Sequence, residues 1–263
     1  MKNCYGNFLY NVLESNRKWI FLLNEKGGNR LDTKEAMEVV NKTFMAIFGQ
    51  TSPYTLEEVL SEFAFDVRLP QRVIDSVTGE ETWASAVSSA KYITQENMRK
   101  YDEKRGWMIP KRNVKNLKEI LEIWKITNYT TTQRIYDCIN VSQSDPMYTS
   151  ENVFRSTDCR KCKNLIFSDG CAESENIIAC QRSGTCSFAL RVADSSDCTN
   201  SYNVICSSKI SNSYFIQDCN NLYECIFCSH IANKRYCIAN MQFEKEEYAV
   251  IKKAIVKWIL TKK

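Results

Sequence analysis

The chain is poor in the groups on which most catalytic and membrane machinery depends. It has one histidine, His230, among 263 residues, so a histidine-dependent triad has a single candidate base. No stretch approaches the roughly 20 apolar residues needed to cross a bilayer. The start, Met1-Lys2-Asn3-Cys4-Tyr5-Gly6, has none of the apolar core of a secretory signal. A surplus of one charge is missing too. Residues 1–150 carry 20 basic and 19 acidic side chains, and 151–241 carry nine of each. The net charge of +4 comes largely from the last 22 residues, with six lysines against three glutamates. A nucleic-acid binder usually shows a basic face and a DNA mimic an acidic one, and this charge balance shows neither. Phosphate-loop, nucleophile-elbow and H-E-x-x-H motifs are absent as well.

What is present is a repeat. Cysteine or serine closes a six-residue beat at Ser156, Cys162, Ser168, Ser174, Cys180, Cys186 and Cys198, with Val192 as the exception. A twelve-residue beat of apolar runs overlies it: Val153-Phe154, Leu165-Ile166-Phe167, Ile177-Ile178-Ala179 and Ala189-Leu190. After a slip of about three residues it resumes as Val204-Ile205, Phe215-Ile216 and Phe227-Cys228. Self-similarity at a short fixed period is the signature of stacked coils. The spacing predicts a β-solenoid (β-helix) of about twelve residues per coil, its apolar runs pointing inward and its corners built from Asn, Ser, Gly and Asp. Asn152, Asn164 and Asn176 share one corner phase.

Eleven of the 13 cysteines lie between Cys159 and Cys237. Without a secretory signal they are expected as thiols or metal ligands rather than bridges. Packing alone accounts for them, because cysteine behaves as a small buried hydrophobe in an interior too narrow for Leu or Phe at every position. Zinc is the rival explanation. Cys159-x2-Cys162 and Cys225-x2-Cys228 have hook spacing, and Cys225, Cys228, His230 and Cys237 together could form a Cys3His set. The repeat predicts those spacings without a metal, so no metal or other cofactor is assigned. A thioredoxin-like reading fails because such pairs sit at helix N-termini, not inside a strand repeat. The scattered acids Asp158, Asp169, Asp194, Asp197 and Asp218 form no carboxylate pair. Asp158 and Asp194 share a phase but lie three coils apart, too far for a glycosidase dyad.

The flanks read differently. Residues 1–148 are expected to form a mainly helical module with a β-hairpin near 72–84, turning at Gly79. Asp32 and Thr55 head two helices, Gly49 ends the first, Thr94 precedes a short one and Asn116 caps the run Leu117, Ile120, Leu121, Ile123, Trp124. Trp83, Trp107 and Trp124 are expected in the core. Ser142–Pro146 reads as the boundary, with the solenoid over 149–243. The segment 244–263 is expected as an amphipathic helix capping the solenoid, on Tyr248, Ile251, Ile255, Trp258 and Ile259.

The stretch Asn233-Lys234-Arg235-Tyr236-Cys237-Ile238-Ala239-Asn240-Met241-Gln242-Phe243, followed by acidic Glu244, Glu246 and Glu247, resembles the end of a group of Cys/Asn/Ser-repeat proteins. These occur among tailed-phage products and poorly described bacterial reading frames, and end in N-K-x-Y-C-I-x-N-x-Q-[YF]. The resemblance covers about 150–263. It implies a solenoid and a phage or bacterial setting, and it carries over no catalytic residue. The expectation is a non-enzymatic structural or interaction protein, cytoplasmic in a bacterial host or assembled into a phage particle. Its partners are expected to be proteins, by self-association or in a larger assembly, without membrane or nucleic acid. The alternatives are a zinc-stabilised nucleic-acid module and a carbohydrate-active β-helix enzyme.

Overall fold

The computed structural model describes residues 31–87, 91–105 and 107–261. Met1–Gly6, with Cys4, lies outside them, as do Lys262 and Lys263. The helix signals are realised at their predicted residues. Helix α1 (Thr33–Phe48) opens on a capping box between Asp32 and Glu35 and ends on left-handed Gly49, φ 76°. Helix α2 (Leu56–Phe63) opens on a second box, Thr55 with Glu58. Strands β1 (Gln71–Ile74) and β2 (Glu81–Ala84) form the expected antiparallel hairpin, with Gly79 at φ 77°. Strand β3 (Lys91–Thr94) leads into α3 (Gln95–Arg105), and α4 (Leu117–Thr127) into β4 (Tyr129–Thr132), which pairs parallel with β3.

The remainder is a parallel β-solenoid. Its register is twelve residues throughout, from Ile135↔Met147 through Leu165↔Ile177 to Ile226↔Ile238. Coil pairing therefore begins before the expected boundary, and Ser142–Pro146 lies inside the first coils. Each coil is four units of three residues. The second residue of a unit is left-handed, as at Asn152, Arg155, Asp158 and Lys161 (φ 54°, 45°, 49° and 52°). The third points into the coil.

This three-residue beat has a hydrogen-bonding cause. A left-handed L-residue costs on the order of 1–2 kcal/mol, so the conformation persists only where the backbone is well paired. The first N–H of a unit reaches one neighbouring coil, as Lys163 N to Ser174 O at 3.0 Å. The second reaches the other, as Phe167 N to Phe154 O at 3.1 Å. The third, on the inward residue, finds a side-chain acceptor wherever the adjoining coil places an inward Ser or Cys: Ser168 N donates to Ser156 Oγ (3.1 Å) and Cys180 N to Ser168 Oγ (3.3 Å). The same hydroxyls and thiols donate to the carbonyl two residues back, as Ser168 Oγ to Ile166 O at 3.1 Å and Cys162 Sγ to Arg160 O at 3.1 Å. Inward Ser and Cys thus satisfy backbone groups that would otherwise be buried unpaired. The expectation that cysteine serves only as a small hydrophobe is corrected on this point.

Two further corrections follow from the geometry. The chain contains no slip. Val192↔Val204↔Ile216↔Cys228 is one uninterrupted column, and the apolar residues merely change column. The column Val153, Leu165, Ile177 and Ala189 dwindles to Ser201 as its neighbour grows from Ser168 and Cys180 to Val192 and Val204. Large side chains in one column face small ones in the next, which keeps a narrow interior filled. Nor do the apolar runs point wholly inward. Val153, Leu165 and Ile177 belong to the interior cluster. Phe154, Ile166, Ile178, Leu190 and Tyr214 face out and share a second core with Val40, Phe44, Ile47 and Phe48 of α1. Alternate residues of an extended segment take opposite faces, so each dipeptide feeds both cores.

Helix α5 (Lys245–Leu260) lies on the same outer face, with Tyr248, Ile259 and Leu260 buried in that second core. The backbone edge of the last coil is met by a turn: Cys237–Ile238 pairs antiparallel with Met241–Gln242, and Gln242 Nε2 donates to Arg235 O at 2.7 Å. The β-hairpin module is tied to the first coils through Asp145, buried at 1% exposure. Its carboxylate accepts from Arg134 Nε and Nη2, both at 3.0 Å, and from Ser85 N at 3.0 Å.

Candidate interaction surface

Among the described residues, helices cover one flank of the solenoid and leave other flanks open. On one of these, small residues stack: Ala172, Gly184 and Ser196, then Ser208, Asn220 and Ala232. From Gly184 onward they floor a shallow groove of about 1010 Å³ whose rim is the left-handed corner column Arg182, Asp194, Cys206, Asp218 and His230. Charges here are paired across single coils. Arg182 grips Asp194 in two bonds (2.5 and 2.6 Å), which holds the Asp194 carboxyl below and the Arg182 guanidinium above their ordinary values. Farther along the column, His230 Nε2 faces Asp218 Oδ2 at 3.7 Å. Lys161–Glu173 (3.4 Å) and Lys163–Glu151 (3.4 Å) repeat the arrangement. Charges paired coil to coil in this way present neither the basic stripe that a phosphate backbone needs nor paired carboxylates flanking a glycosidic bond.

The four zinc candidates do not converge. Cys225, Cys228 and Cys237 are buried inside the last coils, whereas the His230 side chain is 76% exposed on the outer corner. Cys159-x2-Cys162 is likewise one step between consecutive inward positions, and both residues are buried. Among the described residues no group of three or more His, Cys, Asp or Glu is placed to hold a metal ion. Three interior thiols, Cys159, Cys162 and Cys180, are also poor nucleophiles, whereas hydrogen bonds from Cys198 and Cys225 lower Cys186 and Cys228. Burial pushes Cys159 and Cys180 well up and Cys162 to about 11, so they stay protonated at neutral pH.

The tryptophans divide. Trp83 is half-buried under the Arg155 guanidinium, 5.4 Å from the ring centre, and Trp107 packs on Tyr101 and Tyr129. Trp124 is 55% exposed, contrary to expectation. The whole α4 stripe behaves this way. Asn116 caps the helix as predicted, yet no α4 residue is buried, and Leu117, Ile120 and Leu121 are 67%, 47% and 42% exposed. The 3.6-residue period was legible; the element it should pack against is not found among the described residues.

Compared with known proteins, the chain matches no family model, and neither a curated protein nor a solved structure is significantly similar to it. Among the described residues no helix is long and apolar enough to cross a membrane.

Proposed function

We propose that this is a structural or interaction protein, in which the solenoid acts as a rigid spacer and the N-terminal module makes the specific contact. The observation that carries the reading is the exposed apolar stripe of α4 (Leu117, Ile120, Leu121, Trp124) beside a hydrogen-bonded rod. Contiguous exposed apolar surface marks an interaction site. The occupant we assign is a second copy of the chain. Spacing of i, i+3, i+4 and i+7 is the pattern of helix pairing, and the flanking Lys118, Glu119, Glu122 and Lys125 balance in sign, so like stripes can meet without net repulsion. A phage particle or its assembly is the proposed setting, on the terminal Asn233–Phe243 signature alone.

Native mass spectrometry of the reduced, full chain tests this. A defined oligomer that reverts to monomer in Leu121→Glu/Trp124→Glu, with an unchanged circular dichroism spectrum, is the expected result. A wild-type monomer at tens of micromolar overturns the assignment of a second copy. Stoichiometric zinc on the monomer would instead direct attention to chelation and nucleic-acid binding.

A further inference from the structure

One buried charge is left without a counter-ion. Arg155 sits on a left-handed corner (φ 45°) and is 9% exposed, and its Nε–H has no acceptor. Burial by itself pushes the guanidinium down to about 10, with no neighbouring carboxylate acting on it. Two less buried arginines are both paired: Arg134 meets Asp145 at 3.0 Å and Arg191 meets Asp66 at 2.9 Å. A charge held away from water without a partner is strongly destabilising, so a group of this kind calls for an ion. Asp145, the buried carboxylate at the junction with the β-hairpin, is not available to it. Its oxygens already accept from Arg134 N, Nε and Nη2 and from Ser85 N and Oγ.

The surroundings of Arg155 fit an anion. One face of the guanidinium lies over the Trp83 ring of β2, 5.4 Å from its centre, which leaves the N–H edge to act as a fork for two oxygens. Arg155 N donates to Ser142 O at 2.9 Å, and Gln143 occupies the left-handed corner one coil below Arg155. Ser142 pairs with Phe154 in register. Ser142 and Gln143 are thus half-buried polar residues at the foot of a flank that continues as Phe154, Ile166, Ile178 and Leu190. Both carry hydrogen-bond donors. A carboxylate would occupy the fork alone, whereas a tetrahedral oxyanion has further oxygens to turn toward these two side chains. An opening as narrow as 9% exposure admits a free ion rather than a phosphorylated chain.

We propose that Arg155, over Trp83 and beside Ser142 and Gln143, binds a tetrahedral inorganic oxyanion, phosphate or sulfate. The ion would neutralise the buried guanidinium and tie the β-hairpin module to the first coils.

The experiment is isothermal calorimetry of the full chain with inorganic phosphate and, separately, sulfate, against sodium chloride at matched ionic strength, with thermal unfolding alongside. The expected result is one saturable site per chain for either ion, and a melting temperature that climbs with its concentration. Arg155→Met should abolish both effects. Arg155→Lys, a point charge without the fork, should weaken binding about 10-fold, and Gln143→Leu about 2- to 10-fold. If Arg155→Met does not fold, Arg155→Lys and Gln143→Leu take its place. The proposal is overturned if neither ion binds more tightly than about 10 mM, if chloride stabilises equally well, or if binding survives unchanged in the Arg155 variants, which would put the ion elsewhere.

Discussion

Replacing Ser168 by alanine isolates the interaction on which the solenoid's three-residue unit depends. Ser168 is fully buried, and its hydroxyl has two roles. It donates to Ile166 O at 3.1 Å and accepts from Cys180 N at 3.3 Å. The consequences of deletion are unequal. Ile166 O keeps a partner, because Ala179 N donates to it at 3.0 Å. The Cys180 amide loses its side-chain acceptor inside a dry coil. A buried donor left unpaired costs about 1–3 kcal/mol, and the void left by one hydroxyl adds little, so Ser168→Ala should destabilise by about 2 kcal/mol. Ser168→Cys should cost under about 1 kcal/mol, since Cys180 already serves in this way at the next rung, donating to Ile178 O at 3.4 Å and accepting from Val192 N at 3.5 Å. Denaturant unfolding gives the global figure, and hydrogen exchange at the Cys180 amide gives the local one, where about 2 kcal/mol corresponds to roughly 30-fold faster exchange. Equal stability of Ser168→Ala and wild type, with unaccelerated exchange at Cys180, would refute the account of inward serine and cysteine.

Other expectations follow from particular contacts. Asn164 joins a side-chain ladder, accepting from Asn152 at 2.9 Å and donating to Asn176 at 3.0 Å, and is left-handed at φ 56°. Asn164→Ala should therefore lower stability more than Asn164→Gly by about 1 kcal/mol, and equal losses in thermal unfolding would contradict this. Asp75 accepts from Val77 N, Thr78 N, Thr94 N and Asn97 Nδ2 at 2.7, 3.2, 2.7 and 2.9 Å. Burial raises its pKa, yet these bonds outweigh burial and hold it below the usual value. The stabilisation is thus present above the unfolded carboxyl value near 3.9 and is lost as pH falls through the lower folded value. Asp75→Asn should remove that part of the acid transition, measured as midpoint against pH between roughly 2 and 5. In a Cys4→Ser background, a thiol-labelling reagent should modify Cys206 first, the one cysteine exposed among the described residues. Cys138, half-buried, should follow, and the interior thiols should react only on unfolding; rapid labelling of several interior thiols in native buffer would contradict the packing.

The fold was legible where side-chain type and coil position coincide. Columns through Ser156, Ser168 and Cys180 and through Cys162, Ser174 and Cys186 are uniformly small and polarisable, and they alternate six residues apart. That gave the beat at half its true frequency. Of the intervening columns, that of Cys159, Cys171 and Ser183 is also small and polarisable, so the three-residue step is marked at Ser156-Cys159-Cys162 and Ser168-Cys171-Ser174, and only the bulky column of Leu165 and Ile177 interrupts it. The apparent slip near residue 200 has the same origin. A conserved interior volume lets Val204 and Ile216 take over from Leu165 and Ile177 in a neighbouring column, and a linear pattern search reads a lateral exchange as a shift in phase.

The rings gathered between α2, α5 and the solenoid show why a meeting of side chains is harder to read than a fold: Tyr54 abuts Phe63 (5.3 Å between ring centres), Phe63 abuts Tyr202 (6.0 Å), and Phe215 abuts both Tyr202 (5.1 Å) and Trp258 (6.0 Å). Tyr54, Phe63, Tyr202, Phe215 and Trp258 are spread over more than 200 positions, and none belongs to a spacing that names a chemistry. They meet because three regularities act together: the i, i+12 register brings Tyr202 beside Phe215 across adjoining coils, the capping box fixes where α2 begins, and the turn after Cys237 sends α5 back along the same flank. Each is local and each is visible in the sequence; their intersection is not, because it depends on which outer face the helices choose. That choice follows from Phe154, Ile166, Ile178 and Leu190, the outward members of the apolar runs. Once those side chains are assigned outward, a hydrophobic strip runs up one flank and the helices must cover it. The rings then meet where the end of α5 comes against the face of α2.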